Sequence, residues 1–538
     1  MSRADLVPDL QAACERWSER PAVTFRGRTL TYGQLWEQVL ALSWAYQALG
    51  IRPGDRVVCQ LPTCPEHLVA AGAAWACGAV HVGAHRDLTP PELAALVERT
   101  GAGAVVVQPP PRLDDPLASL RAVHASRPRP RVIAHGLPDA PENVEVLSAL
   151  LAGPSPHPHP PAPVTSGDTA LLLRTSGTTG EPKAVEETLP GLWAKIGFFA
   201  DALSPRPHDV HLVYLPIAHV FGLKLALMAL GTGGRLVLLD PFSPEAALRL
   251  VGAEGVTVVS GSPTHLTLLV GHLDADRHRV ESLRWVVTAA APLSPRLVPA
   301  LIERLGVDLL YVYGCSEGFL TCTTDPDEIV RGSVGSRVFV GSTANPPAPP
   351  DGSVAILDPD RPIRLPAGEE GEIAFGATRP VRYWGQPPAA TDGWYRTGDL
   401  GRLDEDGRLF ITGRLKEVIN RGGLKVAAGE IEAVLAEHPA VADCAVVPAA
   451  DPVLGEAICA CVVPAGGRPP TLPEVREHLA GRLARHKLPD ELCVVESIPR
   501  SSVGKIDRAA VSALAGEVDR PRERLRPPAR EAAAPPPR

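Results

Sequence analysis

The chain has 538 residues, more than a single domain of about 100–200 residues accounts for, so more than one domain is expected. Hydrophobic residues make up 45% and charged residues 21%, a composition typical of globular proteins rather than of disordered chains. The net charge is −8 and no long run of lysine and arginine occurs, which argues against nucleic acid as a partner.

The ten cysteines are scattered and none forms a CxxC pair, so neither a zinc site nor a thioredoxin-like redox site is indicated. Small buried apolar cysteines in a reducing compartment are the simplest interpretation. The N-terminus shows no signal peptide, and no run of about 18 apolar residues predicts a membrane span. We therefore expect a cytoplasmic protein.

The first half of the chain alternates helix and strand patterns. Residues 89–101 predict a helix that Thr89 and Glu92 begin as a capping box and Gly101 ends, and residues 104–108 predict a buried strand. The pattern recurs with a strand at 235–239, a helix capped by Ser243 with Pro244 in its first turn, and a strand at 256–259. This alternation predicts α/β layers with parallel sheets.

Three composition shifts suggest the domain organisation. Residues 153–163 are proline-rich and predict an exposed linker, and residues 520–538 predict a disordered tail. Beyond residue 413, short strands and the predicted helices 430–437 and 471–485 suffice for a small α+β domain. We expect a large N-terminal domain at 1–413, a small C-terminal domain at 414–515, and a tail at 516–538.

A glycine- and hydroxyl-rich loop follows an apolar strand in residues 171–185. Glycines let backbone N–H groups approach anionic oxygens, hydroxyls add donors, and Lys183 adds charge. The loop consists of Thr175, Ser176, Gly177, Thr178, Thr179 and Gly180, followed by Glu181, Pro182 and Lys183. It is a candidate phosphate-binding loop without the Walker A spacing, although a polar turn between strand and helix would give a similar pattern.

Six segments in one order resemble the adenylate-forming superfamily, which includes acyl- and aryl-CoA synthetases, nonribosomal peptide synthetase adenylation domains and beetle luciferases. Besides the loop, they are "LPIAHVFGL" (215–223), "VVTAAAPLS" (286–294), "YVYGCSEG" (311–318), the block 393–426 and "PRSSVGKIDR" (499–508). The resemblance covers about residues 15–515. It implies a large domain of stacked α/β layers and a small mobile α+β domain that rotates between two half-reactions.

The resemblance also implies roles for individual residues. Lys505 would stabilise charge at the reacting carboxylate and α-phosphate. Without this resemblance, the simplest interpretation of Lys505 is a solvated surface lysine, and that of Asp399 is a residue that caps a turn. The loop, from Thr175 to Gly180 with Lys183, would bind the ATP phosphates together with Ser316, and Glu317 and Thr178 would hold Mg²⁺. Adenine and ribose would contact Ala290, Ala291, Pro292, Tyr313, Gly314, Tyr395, Asp399 and Arg414.

Further roles concern the acyl group and the thiol. Lys416 matches the hinge position, and Gly422 and Gly423 would leave room for a pantetheine arm, although a hairpin turn explains them equally well. The acyl pocket would be lined by His219, Val220, Phe221, Gly261, Gly318 and Phe319. Two departures from the family pattern would affect how the substrates fit but remove no reactive group. Ser316 stands where threonine is usual, and alanines at 289–291 replace a glycine-containing run.

The pocket segment favours an apolar acid. No carboxylate follows its aromatic residue, and a buried ammonium without a partner is costly, so an α-amino acid is not expected. No carrier domain follows Lys505, so the thiol is expected to come from CoA or, alternatively, from the phosphopantetheine of a separate carrier protein. An oxidative, luciferase-type enzyme and a non-catalytic nucleotide- or acyl-adenylate-binding protein remain lesser alternatives.

Overall fold

The computed structural model divides the chain into two compact units. One comprises Met1–Ala290, Leu297–Ala355 and Ala374–Tyr395, and the other comprises Ala291–Arg296, Ile356–Ile373 and Arg396–Arg538. The structure describes residues 6–109, 115, 117–126, 129–137, 141–153, 155–157, 159–165, 167–174, 184–340, 354–361, 363–376, 381–387, 394–421, 424–451, 454–480, 482–501, 504–516 and 522–524.

Strands and helices alternate through the first 174 residues. In chain order they are α1 Leu6–Arg16, β1 Pro21–Phe25, β2 Arg28–Thr31, α2 Tyr32–Ala48, β3 Arg56–Gln60, α3 Pro65–Ala76, β4 Val80–Gly83, α4 Pro90–Thr100, β5 Ala104–Val107, α5 Ala118–Ala125, β6 Arg131–Ala134, β7 Val144–Val146, α6 Leu147–Ala152 and β8 Leu171–Arg174.

The alternation continues to residue 340. The elements are β9 Ala184–Glu187, α7 Leu189–Leu203, β10 Val210–Val213, α8 Val220–Gly231, β11 Arg235–Leu238, α9 Pro244–Glu254, β12 Val258–Gly261, α10 Pro263–His272, β13 Trp285–Thr288, α11 Leu297–Leu305, β14 Asp308–Gly314, β15 Phe319–Thr323, α12 Pro326–Val330 and β16 Arg337–Val340.

Shorter strands and helices make up the remainder. They are β17 Val354–Leu357, β18 Gly371–Gly376, β19 Trp394–Leu403, β20 Leu409–Arg414, β21 Val418–Arg421, β22 Leu424–Ala427, α13 Ala428–Leu435, β23 Val441–Asp451, β24 Gly455–Pro464, α14 Leu472–Ala480, β25 Glu491–Val494, α15 Arg508–Gly516 and β26 Arg522–Arg524, with 3₁₀ turns at Leu415–Glu417 and Arg485–Lys487.

Two large sheets organise the first unit, as the α/β prediction requires. One has nine strands in the order β16-β15-β14-β13-β12-β10-β11-β1-β2, and the other has seven in the order β7-β6-β5-β3-β4-β8-β9. The central neighbours are parallel, for example β12 with β13 and β3 with β5, while pairs such as β8–β9 and β14–β15 are antiparallel. Parallel strands buried on both faces explain the nearly all-apolar sequences of β5 and β12.

Several helix ends lie where the local sequence predicts them. Thr89 and Glu92 form the predicted capping box of α4, and Gly101 ends this helix in the left-handed conformation at φ 57°. Ser243 caps α9 by accepting a hydrogen bond from the Ala246 amide.

The second unit contains a six-stranded sheet with helices packed on it. Its order is β22-β21-β24-β25-β26, with β23 paired to β24. Residues of α13, α14 and these strands share one buried cluster that includes Ile431, Val475 and Ile458. This is the α+β arrangement expected for the C-terminal part. A further sheet has four strands in the order β17-β18-β19-β20. The domain boundary predicted at residue 413 stays a prediction.

Three predicted segments differ in detail. Helix α13 begins two residues before the predicted 430, at Ala428, and α14 ends at Ala480 rather than at 485. Within the segment expected to be a disordered tail, Arg522–Arg524 forms β26, which pairs antiparallel with β25, so the expectation fails for these three residues. Residues 517–521 and 525–538 lie outside the described residues.

The cysteines behave as small apolar residues. All ten have free thiols, and nine are buried, Cys315 being half-buried. Cys64 lies near Glu66 and His135, with potential ligand atoms within 4.8 Å of one another. Burial raises the pKa of the Cys64 thiol well above its ordinary value, which disfavours the thiolate that a metal ion would require.

Within the described ranges, no helix is both long and apolar enough to traverse a bilayer.

Three buried histidines of the first unit should make its free energy of unfolding depend on pH in the acidic range. Burial lowers the pKa of His67 and His211 to about 4 and that of His81 to about 3. Between these values and the ordinary 6.5, the unfolded chain binds more protons than the folded chain, so stability falls as pH falls. We expect a loss on the order of 2 kcal/mol per histidine from pH 6.5 to 5.

Thermal unfolding followed by calorimetry at pH 7, 6 and 5 checks this expectation. His81→Leu should reduce the pH dependence by about a quarter, because His81 is one of four histidines, with His67, His211 and His265, whose pKa burial lowers to about 3 or 4. His272→Gln, which changes an exposed residue, should leave it unchanged. A midpoint that does not fall between pH 6.5 and 5 would contradict the assignment.

Candidate active site

The predicted acyl-pocket segment forms the start of α8. His219 is the N-cap residue, and its Nδ1 accepts a hydrogen bond from the Phe221 amide at 3.3 Å. This bond satisfies one of the amides that a helix N-terminus leaves unpaired. Val220 and Phe221 are buried, and the Phe221 ring lies 6.4 Å from that of Phe199 on α7. The segment therefore places the polar ring of His219 beside the buried apolar side chains of Val220 and Phe221.

Gly261, another predicted pocket residue, ends β12 where no side chain fits. A Cβ at this position would collide with the Tyr214 hydroxyl. Tyr214 packs against Phe242 and His265, with ring centroids 4.6 and 5.1 Å away, and its hydroxyl has no hydrogen-bond partner among the described residues. Burial lowers the pKa of His265 to about 4, so this aromatic group is uncharged at neutral pH.

A tight turn between β14 and β15 carries the predicted phosphate and metal residues. The Cys315 amide donates to the Phe319 carbonyl at 3.0 Å, which closes the turn around Ser316 and Glu317. Gly318 adopts φ 129°, which favours glycine, and a Cβ on Gly314 would collide with the Phe319 carbonyl. Ser316 and Glu317 are half-buried, while Phe319 is fully buried.

Two tyrosines surround the Glu317 carboxylate. The Tyr383 hydroxyl donates to Glu317 Oε1 at 3.2 Å and lies 2.9 Å from the Tyr395 hydroxyl. Burial and the negative charge of Glu317 raise the pKa of both phenols far above the ordinary value, so both remain protonated donors. Tyr383 belongs to no motif of the sequence analysis, which therefore missed it.

A row of aromatic rings connects Tyr313 with Tyr395, the two residues predicted to lie near adenine. Tyr313 lies 5.7 Å from Phe319, Phe319 stacks on Phe375 at 5.2 Å, and Phe375 lies 4.9 Å from Tyr395. Such offset and edge contacts stabilise a rigid apolar wall. The structure thus brings together residues that are distant in sequence.

Asp399 and Arg414, both predicted ribose residues, form an ion pair. They lie opposite each other in the β19–β20 ladder, and Arg414 Nε lies 2.7 Å from Asp399 Oδ1. Asp399 is buried, and its amide hydrogen bonds to the Thr397 hydroxyl at 3.0 Å. The ion pair therefore fixes the orientation of the Asp399 carboxylate.

The alanine run in the predicted adenine loop adopts an unfavourable conformation. Ala290 has φ 76°, in the left-handed region that glycine occupies without strain. Ala291 is half-buried and Pro292 is exposed. The departure from a glycine-containing run therefore has an energetic consequence at Ala290.

Replacing Ala290 by glycine should raise the free energy of unfolding by roughly 1 kcal/mol, because glycine removes the left-handed strain. Chemical denaturation of the full chain measures the difference. Ala289→Gly is the matched control: residue 289 lacks a positive φ, so glycine there should destabilise. Equal effects of the two substitutions would contradict the strain at Ala290.

The predicted catalytic lysine lies on a short hairpin of the second unit. Arg500 and Ile506 form an antiparallel bridge, the Ser501 amide donates to the Lys505 carbonyl at 2.7 Å, and Gly504 takes φ 83°. Lys505 is half-buried. Lys416, the predicted hinge residue, is exposed in the 3₁₀ turn after β20.

Some predicted residues cannot be placed. The phosphate loop, from Thr175 to Gly180 with Lys183, lies outside the described residues, as do Gly422 and Gly423. Their roles stay predictions.

Three buried charges escaped the sequence analysis. Glu187 at the end of β9 and Lys195 on α7 form an ion pair, and Lys224 lies on α8, five residues after His219. A single lysine within the apolar run "VFGLKLALMALG" was the available signal, because such a run predicts a buried helix.

Comparison with known families decides the identity of this fold and its motifs. The profile of the family described as AMP-binding enzyme matches residues 10–379, and that of the AMP-binding enzyme C-terminal domain matches residues 430–505. The chain belongs to the AMP-binding enzyme family. This result confirms the resemblance to the adenylate-forming superfamily.

Relatives of this AMP-binding enzyme match nearly its whole length. A 2-hydroxy-7-methoxy-5-methyl-1-naphthoate–CoA ligase from Streptomyces carzinostaticus is 33% identical, over 91% of this chain and 89% of the relative. A salicyl-AMP ligase/salicyl-S-ArCP synthetase from Mycobacterium tuberculosis is also 33% identical, over 93% and 89%. The structure of the amide bond synthetase McbA from Marinactinospora thermotolerans matches with a TM-score of 0.81 and 29% identity, covering 94% and 99%.

Proposed function

We propose that this AMP-binding enzyme is an AMP-forming acid–CoA ligase, which activates an apolar acyl or aryl acid as its acyl-AMP and transfers the acyl group to CoA. The observation that carries the proposal is the match to an aryl-CoA ligase over 91% of the chain, at 33% identity. ATP and CoA would be substrates, and the cytoplasm is the expected location.

The two ribose hydroxyls would donate to Asp399, with Arg414 beside it. The geometry supports this role because Arg414, whose Nε lies 2.7 Å from Asp399 Oδ1, fixes the orientation of the carboxylate. Tyr313 and Tyr395 would lie near the adenine, since both belong to the aromatic row. Ala290, Ala291 and Pro292 would border the same base.

The carboxylate of Glu317 has the chemistry of a magnesium ligand. Mg²⁺ prefers oxygen ligands, and the Glu317 carboxylate is fixed by Tyr383 through one oxygen at 3.2 Å. When bound, Mg²⁺ would offset the charge of the triphosphate, and Thr178 would share its coordination. Ser316 and the loop from Thr175 to Lys183 would contact the phosphates through hydroxyl and amide donors.

In the first half-reaction the substrate carboxylate attacks the α-phosphorus of ATP and pyrophosphate leaves. Lys505 would stabilise the charge that develops between carboxylate and phosphate. In the second half-reaction a thiol attacks the acyl-AMP carbonyl and AMP leaves. Movement of the small domain about Lys416 would separate the two steps, with Gly422 and Gly423 then admitting the pantetheine arm.

The predicted pocket residues favour an apolar acid. His219 is occupied at one ring nitrogen by the Phe221 amide, and Val220, Phe221 and Phe319 are buried apolar side chains. Gly318 would leave space beside them, whereas the missing side chain of Gly261 makes room for the Tyr214 hydroxyl rather than for the acid. No acidic residue occupies the positions after Phe221 where an α-amino acid would need a partner.

A separate carrier protein is the second candidate acceptor. It is favoured by the relative from Mycobacterium tuberculosis, whose name includes salicyl-S-ArCP synthetase. Both acceptors present a phosphopantetheine thiol, so the same adenylation site would serve either.

Pyrophosphate release from the full-length enzyme, with ATP, Mg²⁺ and a panel of carboxylic acids, tests the proposal. Each acid is assayed alone, with CoA and with a phosphopantetheinylated carrier protein, and products are identified by mass. Faster release with CoA and an acyl-CoA product would support the CoA ligase. Acceleration by the carrier alone would support the second candidate, and no release with any acid would favour a non-catalytic nucleotide-binding protein.

A further inference from the structure

Three ionisable side chains are buried together in the first unit, and their charges do not cancel. Glu187, Lys195 and Lys224 are 3%, 2% and 5% exposed. Lys195 forms an ion pair with Glu187, which neutralises both. A protonated Lys224 therefore leaves this group of one carboxylate and two ammonium groups with a net positive charge.

Lys224 lies beside the predicted acyl pocket. Its ammonium is 5.2 Å from the centre of the Phe199 ring, and the same ring lies 6.4 Å from Phe221. Cys315, which begins the turn with Ser316 and Glu317, is near enough to affect the Lys224 charge. Lys224 thus lies on the pocket helix, within electrostatic range of the turn predicted to bind the phosphates and the metal.

Burial makes this charge costly in the free enzyme. Desolvation, followed by the charge of Lys195, lowers the pKa of Lys224 to about 7, while Glu187 and Cys315 oppose the shift. Contact with the Phe199 face stabilises the cation only modestly. An unpaired buried ammonium is tolerated better when a bound group supplies an acceptor.

We propose that Lys224 is a specificity-determining residue, which binds an oxygen acceptor carried by the substrate at a position remote from its reacting carboxylate. This inference rests on the proposed acid-activating function and adds one polar contact to an otherwise apolar pocket. The acceptor could be a second carboxylate or the hydroxyl of an aromatic acid, since either oxygen can pair with an ammonium.

Matched pairs of acids test this inference. Each pair has one member with the remote oxygen and one without: an α,ω-dicarboxylic acid against the fatty acid of equal length, and hydroxybenzoates against benzoate. Pyrophosphate release gives kcat/KM for each acid, and the rise in melting temperature on acid binding gives a readout that needs no turnover. The full-length wild type is compared with Lys224→Met and Lys224→Gln, and Lys487→Met, outside the predicted site, is the charge-removal control.

The wild type should prefer the oxygen-bearing member of at least one pair. Lys224→Met should lower its kcat/KM by about 10- to 100-fold and abolish its melting shift, with the plain acid unaffected. Lys224→Gln should retain hydroxybenzoate activity if the acceptor is a hydroxyl and lose dicarboxylate activity if it is a carboxylate. Lys487→Met should keep the wild-type preference.

Three results would overturn the inference: a wild-type preference for plain acids, an equal loss for both members of every pair in Lys224→Met, or no melting shift with any oxygen-bearing acid. Equal loss would mean that Lys224 acts on the reacting carboxylate or on folding. A melting shift that depends on Lys224 but comes without pyrophosphate release would instead reject the proposed ligase activity alone.

Discussion

Lys505→Ala is expected to lower the rate of pyrophosphate release by about 10²- to 10³-fold, the effect of removing one positioned charge from a transition state. The hairpin that carries Lys505 should survive, because its hydrogen bonds involve the backbone: the Ser501 amide donates to the Lys505 carbonyl at 2.7 Å, and the Lys505 amide donates to the Ser501 hydroxyl at 3.3 Å. ATP binding should therefore persist.

Pre-steady-state pyrophosphate release and ATP titration calorimetry separate these two quantities. Lys487→Ala is the matched control, since Lys487 belongs to the same unit but pairs with Glu430 at 2.6 Å. It should reduce stability slightly and leave adenylation unchanged. Adenylation by Lys505→Ala at the wild-type rate would remove this residue from the mechanism.

Asp399→Ala should act on binding rather than on chemistry. It removes the acceptors proposed for the ribose and leaves Arg414 without its ion-pair partner at 2.7 Å. Hydrogen bonds to charged groups contribute about 1.5–3 kcal/mol, so the dissociation constant for ATP should rise by roughly 10- to 100-fold. Titration calorimetry with ATP in the absence of the acid measures the change.

Asp404→Ala provides the comparison for Asp399. Asp404 lies on the turn of the same hairpin and accepts a hydrogen bond from the Arg408 amide at 2.8 Å. Its loss should lower the melting temperature without changing ATP affinity. If both variants weaken ATP binding equally, the effect reflects folding of the hairpin, and Asp399 has no specific ribose role.

Much of the fold was predictable because its signals are local. The capping box of α4 joins residues three apart, and Gly101 is needed for a φ of 57° at the helix end. The parallel layers followed from short apolar strands separated by helices. Where local signals were weaker, as at the end of α14 and at β26, the predictions were less accurate.

The motif residues were identifiable from their order along the chain, whereas their contacts were not. Asp399 and Arg414 pair because β19 and β20 place them in register, which neither motif encodes. Tyr383 joins Glu317 and Tyr395 only through the folded chain, and no short pattern marked it. Long-range contacts of this kind depend on how several elements pack.

By itself, the sequence determined the α/β class, many element ends and the family of this protein, because capping, periodicity and motif order are properties of neighbouring residues. Only the tertiary structure decided the strain at Ala290 and the burial of Lys224 beside a neutralised Lys195–Glu187 pair. The physical reason is that desolvation and backbone strain depend on what surrounds a residue in space, which the order of residues along the chain does not specify.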